Sequence, residues 1–186
     1  MKLTEFLQPE QIHQGVFLSS KKRALEYIGK LVAEQLNQQY QCPTDDQLCA
    51  VACFSQLFKR EKLGTTALNH GVALPHAKLP NNAHITLDKP FVVFVQLEMP
   101  IDYDAEDHKE VDLIYAILFP EQSCAAYKSG LADLAERLND KNLLKQLRSA
   151  TSADDIWHIL FYADQHFDEL NQQQQEQGQE DGIRDH

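Results

Sequence analysis

Two apolar runs constrain this chain more than anything else in it: Phe91 to Leu97 and Val111 to Phe119. A strand with one wet face alternates apolar and polar residues, so runs this continuous read as strands buried on both faces. Pro90 opens the first and Pro120 ends the second. Helical periodicity lies on either side. Ser19-Ser20 precede Lys21 to Leu36, where Ala24, Leu25, Ile28, Leu31 and Val32 recur at three and four, the pattern of a serine-capped amphipathic helix. Thr44, three residues before Gln47, has capping-box spacing and predicts a second helix running to about Arg60, with Gly64 closing the turn after it. Val72 to Leu74 reads as a short strand stopped by Pro75, and Met99 to Asp104 as a turn with a short edge strand. Lys128 to Leu138 is again helical, Asp140 caps a short helix, and Ser152 with Asp155 caps a last one. Helices, then strands, then helices imply a layered α/β domain over residues 1–165. From about Asn171 the composition falls to Gln, Glu, Gly and Asp, so residues 166–186 are expected to form a disordered tail.

Composition closes several routes. Lys plus Arg is 17 and Asp plus Glu is 28, a formal charge of 17 − 28 = −11, which makes a poor non-specific nucleic-acid binder. No run approaches the ~18 apolar residues of a membrane span, and the start Met1 to Phe6 shows no signal-peptide core. Cys42, Cys49, Cys53 and Cys124 contain no C-x-x-C pair and read as thiols of a reducing compartment. His76, His84 and His108 lack the spacing and the neighbouring Cys or carboxylate pattern of a metal site. Neither glycine-rich nucleotide loop is present.

The chemistry concentrates between Arg60 and Lys78. This segment holds an arginine at a helix end, the adjacent hydroxyls Thr65 and Thr66, a short strand, and then Pro75-His76. A neutral imidazole is a competent nucleophile near neutral pH, with an unperturbed pKa of about 6.5. An arginine offers a permanently charged fork suited to phosphate. Phosphoryl transfer needs mainly positioning and charge neutralisation, which these residue types supply.

The string Arg60-Glu61-Lys62-Leu63-Gly64-Thr65-Thr66 followed by Gly71-Val72-Ala73-Leu74-Pro75-His76 resembles the signature of the fructose/mannitol-type enzyme IIA domains of the bacterial phosphoenolpyruvate-dependent phosphotransferase system, and most closely their nitrogen-regulatory branch. The likeness extends through Phe94–Ile101, Val111–Pro120 and Leu131–Leu138, and covers roughly Leu3 to Leu160. It implies a mixed β-sheet flanked by helices in a stand-alone cytoplasmic protein. On this chain it implies His76 as phospho-acceptor, with Arg60, Thr65 and Thr66 stabilising the phosphoryl group and no metal or organic cofactor. The implied partners are an HPr-like phosphocarrier and regulatory targets such as potassium-transport or sensor-kinase proteins, without nucleic acid and without membrane insertion.

This chain differs from that pattern in places. Ala67 and Asn69 stand where glycines are typical, and Ala67 would be strained if its position required a positive φ. Ala77 follows the motif histidine where a glycine is common. Tyr127 occupies the position of a second active-site histidine. A tyrosine hydroxyl donates a hydrogen bond but supplies no charge. His70, six residues before His76, is a candidate to replace that imidazole. The expected function is that of a nitrogen-regulatory enzyme IIA phosphorylated on His76. The alternative is an interaction module of the same fold with weak or no phosphoryl transfer.

Overall fold

The structure, a computed structural model, describes residues 1–183, with side chains through residue 178 apart from 123 and 124. Strand β1 (Ile12–Val16) leads to helices α1 (Lys21–Gln39) and α2 (Ala50–Lys62). Short strands β2 (Val72–Ala73) and β3 (His76–Lys78) follow, then the long strands β4 (Phe91–Ile101) and β5 (Val111–Phe119). Helices α3 (Lys128–Arg137), α4 (Lys141–Ser149) and α5 (Ala153–Ile183) complete the chain. The sheet is mixed: β1 runs parallel to β4, β4 antiparallel to β5, and β2 and β3 both run parallel to β5 along its other edge.

The two apolar runs are β4 and β5, and they are covered on both faces as their continuity predicts. Val93, Val95, Ile114, Ala116 and Leu118 face the buried side of α1 and α2, where Leu25, Ile28, Val32 and Leu57 are fully buried. The alternate residues Val92, Phe94, Leu113, Tyr115 and Ile117 face Leu134, Leu144, Leu147, Ile156 and Leu160 of α3, α4 and α5. Gly29 lets α1 approach α2: a Cβ there would lie 2.8 Å from the Phe54 backbone nitrogen. The caps at Ser20, Asp140 and Ser152 form as expected, each side-chain oxygen accepting a backbone N–H in the first turn.

Four features depart from the sequence expectation. Helix α2 begins at Ala50 rather than near Thr44. The Asn37 side chain accepts from Leu48 N–H at 2.7 Å and donates to the Leu48 carbonyl at 3.0 Å, so this backbone is paired outside any helix. Strand β4 runs through Pro100 to Ile101, with a register shift against β5 after Gln96 that accommodates the proline. Strand β1 has no counterpart in the sequence reading, because His13, Gln14 and Gly15 hide its pairing. Helix α5 also continues to Ile183, through residues for which composition predicts no folded structure. Glu and Gln are good helix formers, and the described side chains from residue 169 onward are all exposed, so this extension is helical without being packed. Residues 184–186 of the expected tail, and the Cys124 side chain, lie outside the description. Cys42 and Cys53 are buried and Cys49 is exposed. No helix among the described residues is long and apolar enough to cross a membrane.

One buried carboxylate fastens the N-terminal segment. Asp164 of α5, 3% exposed, accepts from Leu3 N–H at 2.7 Å, Thr4 N–H at 2.9 Å and the Thr4 hydroxyl at 2.7 Å, and pairs with Arg137 at 3.0 Å. Replacing it with Ala strands a buried guanidinium and two amides. Asp164→Ala is therefore expected to lower stability by about 3–5 kcal/mol, read as a drop in the denaturant midpoint with the m-value unchanged.

Candidate active site

His76 begins β3, on the edge of the sheet, where Ile117 of β5 is its register partner. Pro75 ends β2, and its carbonyl accepts from Ile117 N–H at 2.9 Å, so the chain is anchored on both sides of the break between β2 and β3. The imidazole is half-buried. Its Nδ1 lies 2.9 Å from the Leu74 carbonyl, and its Nε2 lies 3.2 Å from Arg60 Nε. A carbonyl only accepts and a guanidinium only donates, so Nδ1 carries the proton and Nε2 keeps its lone pair. Burial is the largest cause moving the His76 pKa, and it lowers it. The Leu74 bond raises it, the Arg60 charge lowers it and the Glu61 charge raises it, leaving the net value below the ordinary histidine range.

Arg60 sits in the last turn of α2. Besides the imidazole it donates through a terminal nitrogen to the Gly64 carbonyl at 2.9 Å, which fixes the fork relative to the turn that follows the helix. The neighbouring Glu61 is buried. It takes an ion pair from Lys21 of α1 at 2.8 Å, a bond from Thr66 N–H at 2.9 Å and another from the Thr66 hydroxyl at 2.5 Å. The Tyr103 hydroxyl lies 3.2 Å from the Thr66 hydroxyl, and burial first, then the Glu61 charge, push the Tyr103 pKa well up. The Thr65 hydroxyl donates to the Tyr103 carbonyl at 3.1 Å and accepts from Ala67 N–H at 3.1 Å.

Arg60 and His76 are thus in direct contact. Thr66 is 5% exposed, and both its amide and its hydroxyl bond to Glu61, so it holds the turn after α2. Thr65 is half-buried and its hydroxyl braces the loop after β4. His70 is not brought to the site. Val72 pairs with Leu113 and His76 with Ile117, so about 13 Å of strand separates those two levels and His70 lies beyond the further one. His70 has φ +66, its amide is held by Asp107, and its carbonyl accepts from Arg148. The ring of Tyr127 stacks on Phe119, with centroids 5.8 Å apart, and meets Phe6 edge-on at 6.0 Å, so it packs against the sheet two residues along β5 from Ile117. The left-handed positions of the loop are His70 and Gly71, and neither Ala67 nor Asn69 is strained. Sequence reasoning missed Glu61, Lys21 and Tyr103. The only local signal was a glutamate beside the motif arginine. Among the described residues no three His, Cys, Asp or Glu side chains gather as a metal set.

The architecture is shared with solved proteins. The chain is similar to nitrogen regulatory protein IIA-Ntr from Neisseria meningitidis, with TM-score 0.71 and 30% identity, covering 85% of this chain and 98% of that one. It is similar in fold to IIA mannitol from Escherichia coli, with TM-score 0.62 and 21% identity, covering 83% and 98%. This is the fold of the enzyme IIA domains. In sequence, the chain is 52% identical over 165 residues to a nitrogen regulatory protein homolog of Haemophilus influenzae, covering 89% of this chain and 94% of that protein. The family described as phosphoenolpyruvate-dependent sugar phosphotransferase system, EIIA 2, matches residues 5–162. The chain belongs to that family, in its nitrogen-regulatory branch.

The lowered pKa has a direct consequence. The unfolded histidine takes up a proton near pH 6.5, and the folded one only at lower pH. Between the two values the unfolded state binds more protons, so His76 costs stability as pH falls through that window and nothing above it. The imidazole Cε1–H resonance is expected to titrate below pH 6.5, and His76→Gln is expected to flatten the stability profile in the same window.

Proposed function

We propose that this protein is a cytoplasmic phosphoryl carrier that accepts a phosphoryl group on Nε2 of His76 from the phosphohistidine of an HPr-like protein, and that its phosphorylation state controls partner proteins. The observation that carries this reading is the two-sided fixing of the imidazole. Nδ1–H is committed to the Leu74 carbonyl, and the Nε2 lone pair faces a guanidinium. In the transfer the Nε2 lone pair forms the new N–P bond while the bond from phosphorus to the carrier's imidazole breaks. The leaving nitrogen keeps that electron pair. His76 becomes a phosphoimidazolium whose Nδ1–H still donates to Leu74, so no proton has to move on this side.

Nε2 can no longer accept once it bears phosphorus, which frees Arg60 Nε–H to turn to a phosphoryl oxygen. Thr65 and Thr66 hold the turn after α2, Thr66 through Glu61 and Thr65 through the Tyr103 carbonyl, and Tyr127, packed on Phe119, adds no charge. The phosphoryl group brings about −1.5 to −2 charges, by analogy with phosphoserine, to a protein already at −11, and a partner can read that change.

Incubation with phosphoenolpyruvate, enzyme I and the HPr-like carrier is expected to add one acid-labile phosphoryl group to the wild-type mass and none to His76→Ala. Arg60→Ala is expected to slow transfer by about a hundredfold, and correlated 31P–15N spectra should place phosphorus on Nε2. An unlabelled wild type beside an active control would favour the interaction module instead.

A further inference from the structure

His70 and Gly71 belong to the Arg60–Lys78 segment yet take no part at His76. They stand instead on the wall of a cavity of about 660 Å3, where the chain around the start of β5 meets Lys141 and Arg148 of α4. A cavity of this size suits a small metabolite. Asp112 on its wall lies five residues along β5 from Ile117, the register partner of His76, so about 17 Å of strand separates the two places.

Arg148 is the fixed element of this cavity. Its Nε and Nη2 both reach the Asp112 carboxylate at 2.9 Å, and Nη2 also donates to the His70 carbonyl at 2.5 Å. Nη1 makes no hydrogen bond among the described residues. Gly71 permits this arrangement. Its φ is +80, and a Cβ there would lie 2.7 Å from Arg148 Nη2. The guanidinium is therefore held along one edge with a donor left on the other. Lys109 and Lys141 line the same cavity, and both are exposed. Neither joins an ion pair among the described residues. The Asp107 carboxylate accepts from His70 N–H at 2.8 Å and from Lys109 N–H at 3.1 Å, which fastens the loop carrying Lys109 to this wall. In a protein of net charge −11, three cationic side chains with donors to offer thus face one cavity. Of its two carboxylates Asp112 is neutralised by Arg148, which leaves Glu110.

We propose that this cavity is a second ligand site, one that binds the phosphoryl group of a small phosphorylated metabolite. A phosphoryl dianion has three terminal oxygens and takes a donor from each of Arg148 Nη1, Lys109 and Lys141. A carboxylate has two oxygens and leaves one of the cations unmatched. Glu110 repels bare phosphate but accepts from a hydroxyl on the organic part of an ester, so it favours the ester over the free ion. The separation from His76 keeps the imidazole open while the cavity is filled. The assignment is independent of the histidine-acceptor reading.

The test is a titration of the full chain at constant ionic strength, followed in 1H–15N spectra, with three probes: glycerol 3-phosphate, inorganic phosphate and succinate. Glycerol 3-phosphate is expected to give saturable shifts at the amides of residues 70–71, 109–112 and 141–148, with a lower Kd than either other probe. Lys109→Gln and Lys141→Gln alter exposed side chains outside the core, and each is expected to raise that Kd about tenfold. Glu110→Gln is expected to remove the preference for the ester over inorganic phosphate. Succinate binding as tightly as glycerol 3-phosphate overturns the phosphoryl assignment, and inorganic phosphate binding as tightly overturns the ester. A Kd unchanged in both lysine variants, shifts confined to residues around Arg60 and His76, or no saturable shift at all overturns the site itself.

Discussion

The buried carboxylate of Glu61 is the interaction on which the site depends. It lies at the end of α2 and receives Lys21 from α1 and both donors of Thr66, with the Tyr103 hydroxyl against the same group. A buried carboxylate without partners would be far too costly to keep. Its pairing is therefore obligatory, and it forces α1, the end of α2, the 65–66 turn and the loop after β4 to meet at one point. Arg60, one residue earlier in the helix, inherits its position from that junction. The contact between Arg60 and His76 is thus a consequence of a structural ion pair nearby, and the motif glutamate serves the site without touching the imidazole.

The second constraint comes from the backbone around Pro75. Strands β2 and β3 follow the same edge of β5, interrupted where the proline has no N–H to give. The interruption leaves the Leu74 carbonyl free to accept from the imidazole instead of from a neighbouring strand. One break in a sheet edge therefore both presents His76 and selects its tautomer.

Legibility in the sequence followed the range of the interactions. Strands β4 and β5 were readable because an unbroken apolar run has few other homes, and the caps at Ser20, Asp140 and Ser152 because they bond within a single turn. The start of α2 was misread because the residue that decides it, Asn37, lies on another helix. The Pro75-His76 pair and Arg60 were visible as a motif. The roles of the two threonines were not, because Thr66 is claimed by Glu61 and Thr65 by the Tyr103 carbonyl, 38 residues away. Proximity in sequence misled for His70. Between it and His76 the chain is largely extended along β5, and extended chain carries side chains apart at about 3.3 Å per residue. Tyr127 shows the same limit in another form: alignment gives the position, and only packing on Phe119 shows how the ring is used.

The site also inverts a common way of holding phosphate. Helix N-termini bind anions because their free N–H groups and dipole are positive. Here the nearest helix end is the C-terminus of α2, whose carbonyl pole repels an anion and attracts cations. Lys59, Arg60 and Lys62 occupy that last turn, where the dipole stabilises them. On the proposed function, the helix contributes to phosphate binding only through the side chain it has gathered there. Arg60 must leave the Nε2 lone pair, and can keep or give up the Gly64 carbonyl, as it turns to the phosphoryl oxygens. A lysine at this position would have a point charge but no fork with which to hold the imidazole and the helix end at once. That geometry explains, without appeal to the motif, why the residue beside His76 is an arginine.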